Sequence, residues 1–550
     1  MSKSNPEKRI WLLVFIFVSI GLLIWGRFFY LMIIRRDYYI AKATHLSGDT
    51  AVAARGSIFL TDKDGIPYAA ALNKEFSLIY AVPEKIKDPA ATAKTLSPIL
   101  GIDEQALLQK LSKPKDAYEI LAKKVSDGVV NAIKSLGDSA IGVDSETARY
   151  YPSDLYLSQA IGFLGFGKNG QAGQYGLEEN YNAELSGPVS SSDLVLTVDS
   201  AIQAQAGALI AAAVQKWRAT GGSIIVMNPK NGDIVAMASY PNFDANDYAA
   251  VPDQNIFVNP DTLKRFEPGS VFKPLTMAIG LETGAVTPET KFLNTGTVKV
   301  DDRTISNALP TEMLGWQTMP VVLEQSLNTG AVFVEQKVPK DIFLKYLKNF
   351  GADDKTGIDV REISGDLSVL SSMRNVNFAT ASFGQGVALT PVELIRALAA
   401  IANGGKLVRP HLVAKIISRG GEERQMRGDE GSRVISPETA AKVVSMMVDV
   451  VEKGSGRRAA VSGYSIAGKT GTAQIPDLKT HKYNPDENIH TFIGFAPAYD
   501  PKFIALVKID KPKGIRFAES TAVPVFHDLA QFIFNYWSIP PDRPVAPAAQ

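Results

Sequence analysis

Residues 10–34 form a stretch that few folds can accommodate. Ile10 to Gly26 carries no charge and is rich in Leu, Ile, Phe and Trp, and past Arg27 the apolar run continues to Ile34. Read as one helix it is ~37 Å long, enough to span a bilayer with some tilt. Arg27 would lie near one end, where a long basic side chain can reach the interface. Trp11, Trp25 and Tyr30 suit interfacial positions. A buried core helix is the alternative, but such helices seldom run this long without polar residues. No small-x-small cleavage site directly follows, so the run reads as an uncleaved anchor and not a signal peptide. Lys3, Lys8 and Arg9 precede it and Arg35 and Arg36 follow it, a slight bias toward a cytoplasmic tail at residues 1–9. No second apolar stretch of this length occurs, so the rest of the chain is expected on one side of the membrane.

That remainder is long. A chain of 550 residues suggests two or three domains. Its 58 Lys and Arg nearly balance 57 Asp and Glu, so nothing points to a nucleic-acid partner. Cysteine is absent, which excludes disulfides and thiolate metal sites without identifying a compartment. His45, His411, His481, His490 and His527 show no metal-ligand spacing, and neither a metal nor a cofactor is expected.

Residues 37–192 mix a short strand pattern (Phe76 to Tyr80) with helical patterns near Thr92–Leu100 and Asp103–Leu111, as in a pedestal or interaction module. Gly165 to Gly173 reads as a glycine-rich loop. Asp193 to Asp199 reads as a strand leading into a second region, 193–539. There Ala201 to Trp217 has a helical apolar period. Ser223–Met227 and Asp233–Met237 flank Asn228-Pro229-Lys230-Asn231-Gly232, a hairpin signal. Tyr464–Ala467, Thr491–Phe495 and Phe503–Ile509 supply further strands. The fold class is α/β, with an antiparallel sheet flanked by helices. Residues 540–550 are rich in Pro and Ala and read as a disordered tail.

The chemistry concentrates in Pro268-Gly269-Ser270-Val271-Phe272-Lys273. If a helix starts here, Ser270 and Lys273 share a face, so the amine can reach the hydroxyl. The helix N-terminus favours negative charge developing on the serine. Such a pair is a plausible activated nucleophile, with Ser270 attacking and Lys273 taking the proton. Alone, Ser-x-x-Lys is common on solvated helix faces. Ser326-Leu327-Asn328 follows, after a helical stretch from Met319 to Gln325, and alone would read as a helix end with Gly330 as breaker. Lys469-Thr470-Gly471-Thr472 comes next. With Gly463 it formally matches a phosphate-binding loop, but strand and loop residues follow where that motif needs a helix. Glu267 reads as a solvated turn residue. No G-x-S-x-G elbow is present.

Ser-x-x-Lys, Ser-x-Asn and Lys-Thr-Gly in this order resemble the signature of penicillin-binding proteins and serine β-lactamases. The resemblance covers most of the chain and is to the monofunctional class B penicillin-binding proteins. Arg55-Gly56-Ser57-Ile58 with Asp64-Gly65, Gly176-Leu177-Glu178, Leu196-Thr197-Val198-Asp199, Phe383-Gly384-Gln385-Gly386 with Thr390-Pro391, and Phe492-Ile493-Gly494-Phe495-Ala496-Pro497 are similar to segments of that group. The resemblance implies a membrane anchor, a mixed α+β pedestal of the dimerisation type, and a transpeptidase domain. It implies Ser270, Lys273 and Ser326 as catalytic residues, and Asn328, Lys469, Thr470, Gly471 and Thr472 as substrate-binding residues. The backbone N–H groups of Ser270 and Thr472 would form the oxyanion hole. The implied reaction cross-links peptidoglycan stem peptides ending in D-Ala-D-Ala through an acyl-enzyme, in a form that β-lactams block. Implied partners are the membrane, a multi-spanning SEDS-type glycosyltransferase, and other division or elongation proteins. The implied location is the bacterial cytoplasmic membrane, single-pass, with the catalytic part outside. The pattern leans toward the division type. Ser-Leu-Asn departs from the Ser-Asp-Asn of class A β-lactamases. An anchored β-lactamase or carboxypeptidase, and a non-catalytic β-lactam-binding scaffold, are the competing readings.

Overall fold

The computed structural model describes residues 6–36, 39, 55–114, 116–152, 156–167, 170–187, 191–426, 428, 431–476 and 483–544. The start of the expected cytoplasmic tail and the stretch 40–54 lie outside the described residues. The apolar segment is an α-helix, Pro6–Phe29, continued by one π-helical turn, Tyr30–Ile34. Within it Trp11–Ile34 is apolar and long enough to cross a membrane, and none of it is buried. The sequence expected a single regular helix to Ile34, and the widened last turn is the difference.

Two compact units follow from the packing. One contains residues 73–150. Its helices Pro89–Leu100 and Glu104–Leu111 start on aspartates: Asp88 accepts the Ala90 and Ala91 N–H groups and Asp103 accepts that of Ala106. The last part of the Pro67–Ala81 strand pairs antiparallel with Glu119–Val125. Ile79, Ala93, Leu96, Leu107, Leu121 and Ile133 close the core between them.

The other unit is built on a five-stranded antiparallel sheet. Its order is Ala467–Pro476, Tyr483–Ala496, Phe503–Asp510, Gly221–Met227, Ile234–Tyr240. The hairpin expected at Asn228–Gly232 joins the last two strands, with Gly232 at φ 84°. Alternate side chains serve opposite faces. Ile224, Val226, Phe492 and Val507 pack against the helices Ser200–Lys216 and Ala522–Tyr536. Ile225, Met227, Ile493 and Leu506 share a core with Lys273–Glu282, Pro391–Ala402 and Pro437–Glu452. Asp199 caps Ser200–Lys216 by accepting the Ala201 and Ile202 N–H groups.

This unit also takes residues 55–72, 151–165 and 172–192, so the compact grouping differs from a linear division at residue 192. The reason lies in strand pairing: Ile58–Thr61 runs parallel to Ser192–Asp199, which runs antiparallel to Val413–Ser418. Arg55 locks the same region, its buried guanidinium 2.6 Å from the Glu178 carboxylate.

Three local expectations are corrected. The Gly165–Gly173 segment contains strands Phe163–Gly167 and Gly170–Gln174, while 168–169 lie outside the described residues. The strand expected at Tyr464 begins only at Ala467. The residues before it are engaged elsewhere: the Tyr464 hydroxyl donates to the Ile539 carbonyl (2.6 Å) and the Ser465 N–H to Asp542 (2.8 Å). For the same reason the tail expected from Pro540 is not free at its start. The Asp542 and Arg543 N–H groups bond the Gly463 carbonyl, and Arg543 pairs with Glu452. Residues 545–550 lie outside the described residues.

Candidate active site

Ser270 lies in a 3-10 turn, Gly269–Phe272, and the α-helix begins only at Lys273 and runs to Glu282. The sequence expected an α-helical start at Ser270. The tighter turn stacks residues i and i+3 directly, so it brings Ser270 and Lys273 onto one face more closely than an α-turn would. Lys273 is buried and Ser270 is half-buried.

The second motif sits between two helices, Met319–Glu324 and Asn328–Lys337. Ser326 joins them with φ 56°, a left-handed conformation uncommon outside glycine. Its carbonyl and its hydroxyl both meet Lys273, whose Nζ donates to Ser326 O at 2.5 Å and to Ser326 Oγ at 3.1 Å. Gly330, expected as a breaker, is inside the second helix. A Cβ there would collide with Val322, so its small size serves the close approach of the two helices.

The third motif is on the edge strand of the sheet. Period-two alternation sends Lys469, Gly471 and Ala473 to the face carrying the nucleophile turn, and Thr470 and Thr472 to the other face. Lys469 is buried and donates from Nζ to Ser326 Oγ (3.0 Å) and to Thr470 O (3.1 Å). One hydroxyl oxygen therefore lies between two buried amines. Burial holds the Lys273 pKa well below that of an ordinary lysine, and the neighbouring Lys469 lowers it further. Burial lowers Lys469 to about 7, with Glu519 opposing. Two ammonium groups sharing one oxygen repel, so the site favours a neutral Lys273 beside a charged Lys469. A neutral amine has two hydrogens, which match the two Ser326 acceptors, and one lone pair that remains to take a proton.

The other expected residues fall out differently. Ser270 Oγ makes no hydrogen bond among the described residues, and Lys273 bonds Ser326 instead. The Asn328 side-chain amide donates to the Ser306 carbonyl at 2.8 Å. The Thr470 hydroxyl pairs with that of Ser455 at 2.8 Å, and the Thr472 hydroxyl accepts the Ala518 N–H at 3.2 Å. Gly471 acts by its size. A Cβ there would strike Thr491 and come within 2.9 Å of Val271 and 3.1 Å of the Pro268 carbonyl.

Sequence reasoning missed the support behind these groups. Gly384 carries φ 77°, its carbonyl accepts the Gly269 N–H at 3.0 Å, and a Cβ there would strike Gly269. Glu267 is not a free turn residue. Its carboxylate accepts the Gly386 N–H (3.1 Å) and the Tyr483 hydroxyl (3.0 Å), and burial raises its pKa. The two glycines in Phe383-Gly384-Gln385-Gly386 were the available signal for this contact. Ser455, Ala518 and Glu519 carried none.

Comparison with known proteins agrees with this geometry. Residues 222–531 match the family described as penicillin binding protein transpeptidase domain, and residues 50–206 match the penicillin-binding protein dimerisation domain. Stage V sporulation protein D of Bacillus subtilis is 33% identical over 503 residues, covering 86% of this chain and 76% of that protein. A probable peptidoglycan D,D-transpeptidase, PbpC of Pseudomonas aeruginosa, is 30% identical over 576 residues, covering 99% of this chain and 98% of its own. Among solved structures, penicillin binding protein 3 of Mycobacterium tuberculosis complexed with aztreonam superposes with a TM-score of 0.70 at 25% identity, over 90% of this chain and 99% of that one.

Proposed function

The chain belongs to the penicillin-binding protein transpeptidase family, and from that premise we propose that it is a peptidoglycan D,D-transpeptidase whose acyl-enzyme forms on Ser270. Ser270 Oγ attacks the carbonyl of the penultimate D-alanine, and its proton passes to the lone pair of Lys273. The oxyanion is held by the backbone N–H groups of Ser270 and Thr472, where losing one donor costs ~3 kcal/mol of barrier. The C–N bond to the terminal D-alanine then breaks as a proton reaches the leaving nitrogen through Ser326. An amine of a neighbouring stem attacks the ester and gives up its proton to Lys273, which returns it to the departing Ser270 Oγ as the ester C–O bond breaks and the cross-link is made. Lys469 attracts the terminal carboxylate by its charge, and the Thr470 and Thr472 hydroxyls bind it at the strand edge. Asn328 exchanges its bond to Ser306 for the substrate backbone, and Gly471 keeps the strand close to the nucleophile turn. β-Lactams resemble the D-Ala-D-Ala end and acylate Ser270.

The observation that carries this reading is Ser326 Oγ, 3.1 Å from Lys273 Nζ and 3.0 Å from Lys469 Nζ. A relay hydroxyl between a proton acceptor and a cation is what acyl transfer to and from an amine needs. The apolar Trp11–Ile34 helix supports a single-pass anchor. The substrate then sets the topology, with residues 1–9 cytoplasmic and the catalytic residues outside. A multi-spanning SEDS-type glycosyltransferase is the proposed partner, and a septal role is the proposed setting.

The test is labelling of the protein with a fluorescent penicillin, wild type beside Ser270→Ala, followed over hours. A persistent adduct on wild type alone is expected. A label that decays within minutes would favour a β-lactamase, and no label on folded wild type would favour the scaffold.

A further inference from the structure

His490 stands directly opposite Thr472 across the strand pair, so the two side chains share one face of the sheet. Its imidazole is fully buried. Burial lowers its pKa to about 4, opposed by the Arg516 backbone, so the ring is neutral at physiological pH. A neutral imidazole has one donor and one acceptor nitrogen.

Nδ1 lies 2.9 Å from Thr521 Oγ1, which donates to the Ala518 carbonyl at 3.3 Å. The Thr521 hydroxyl hydrogen goes either to the Ala518 carbonyl, with Nδ1 donating to Thr521, or to Nδ1, and in both tautomers the imidazole ties Thr521 in place. The Thr521 N–H also bonds the Ala518 carbonyl, at 3.0 Å, which fixes that peptide twice. The Ala518 N–H then donates to Thr472 Oγ1 at 3.2 Å. The contacts therefore connect His490 through Thr521 to residue 518, whose carbonyl is held by Thr521 and whose N–H, on the preceding peptide, meets Thr472. The last hydroxyl keeps its own hydrogen, free to be donated from the sheet edge. The same turn, Ala518–Ser520, carries Glu519, whose charge raises the pKa of Lys469.

We propose that His490 is a positioning residue for the substrate's terminal carboxylate, acting through Thr521 and Ala518 on the Thr472 hydroxyl. The proposal rests on the reading of Thr472 as a carboxylate ligand. It predicts that His490 governs discrimination between a carboxylate and its neutral ester, and not the acylation chemistry itself. One turn touches both carboxylate-binding groups: it aims the Thr472 donor, and its Glu519 opposes the loss of charge from Lys469. A buried histidine at its root holds the turn without exposing a second titrating group to the substrate.

The test compares acylation rate constants for benzylpenicillin and for its methyl ester, and reads the acid-to-ester ratio in the full-length protein. Thr472→Val is expected to lower the ratio. His490→Leu and Thr521→Val, which cut the relay at two places, are each expected to lower it about tenfold, the scale of one lost oriented hydrogen bond to a charge. His490→Asn, whose amide can stand where Nδ1 stood, is expected to stay within about twofold of wild type. In the Thr472→Val background neither relay variant should lower the ratio further. Acid and ester slowed alike by His490→Leu and Thr521→Val would reduce His490 to a structural residue and overturn the proposal, as would equal losses with and without Thr472. A wild-type ratio in Thr472→Val would instead overturn the reading of Thr472 and the relay with it.

Discussion

Lys273 and Lys469 meet at a single hydroxyl, and that meeting sets how the site responds to pH. Both lysines have pKa values depressed in the fold, Lys273 well below an ordinary lysine and Lys469 to about 7. Acylation should rise with pH while Lys273 loses its proton and fall through about 7 as Lys469 loses its charge. Lys469→Arg keeps the charge at any accessible pH, so the alkaline limb of a penicillin-acylation profile is expected to move upward, although a larger head group will slow the reaction. The same depression has a stability sign. The unfolded chain binds more protons than the folded one between the folded and unfolded pKa values, so these two groups make the fold more stable as pH rises through that window. Ser326→Ala removes the shared oxygen and should cut the acylation rate about 100-fold, the scale of proton-transfer catalysis, measured by stopped-flow with a fluorescent penicillin. That Lys273, Ser326 and Lys469 come together was legible in the order of the three motifs. That Asn328 is committed to Ser306 was not legible, since Ser306 arrives from a separate hairpin.

At the scale of elements, the site is an edge strand laid against a 3-10 turn, and glycines set the spacing. Gly471→Ala would push Thr491, Val271 and the Pro268 carbonyl apart. Overpacking of this kind costs about 1–3 kcal/mol. Because the displaced parts are the nucleophile turn and the strand beside it, acylation should fall by more than the loss of stability accounts for. A thermal melt and an acylation rate on the same sample check this, and a fall in melting temperature with unaltered acylation would contradict it. Strands such as Phe503–Asp510 and the Asn228–Gly232 hairpin could be read from local pattern. The Tyr464 and Gly165–Gly173 segments could not, because the first is claimed by Ile539 and Asp542 and the second pairs where composition alone suggests a loop. Gly330 illustrates the same limit. Its composition signal is a helix stop, whereas its contact with Val322 makes it a point of close helix packing.

At the scale of the molecule, two features tie the chain to its setting. The Trp11–Ile34 surface has no burial in protein, so a chain starting at residue 37 is expected to stay dispersed without detergent while still labelling with fluorescent penicillin. Full-length protein should sediment with membranes under the same conditions. Arg55 and Glu178 form a buried pair. Arg55→Met would strip the buried Glu178 carboxylate of its cation while leaving the Tyr151 hydroxyl on it, at a cost of about 3–5 kcal/mol, read as a lower urea midpoint.

The position of Lys469 and Thr472 on the outermost strand has a consequence for the kind of substrate that can be processed. Half of the backbone groups of an edge strand face away from the sheet, so an extended peptide can lie alongside as an added strand. Such a berth can receive a peptide whose other end is still fixed to a polymer, provided its free carboxylate end reaches Lys469 and Thr472, and it can release a branched product without unthreading. An enzyme that stitches a network larger than itself has to hold its work along a margin and never inside an enclosure.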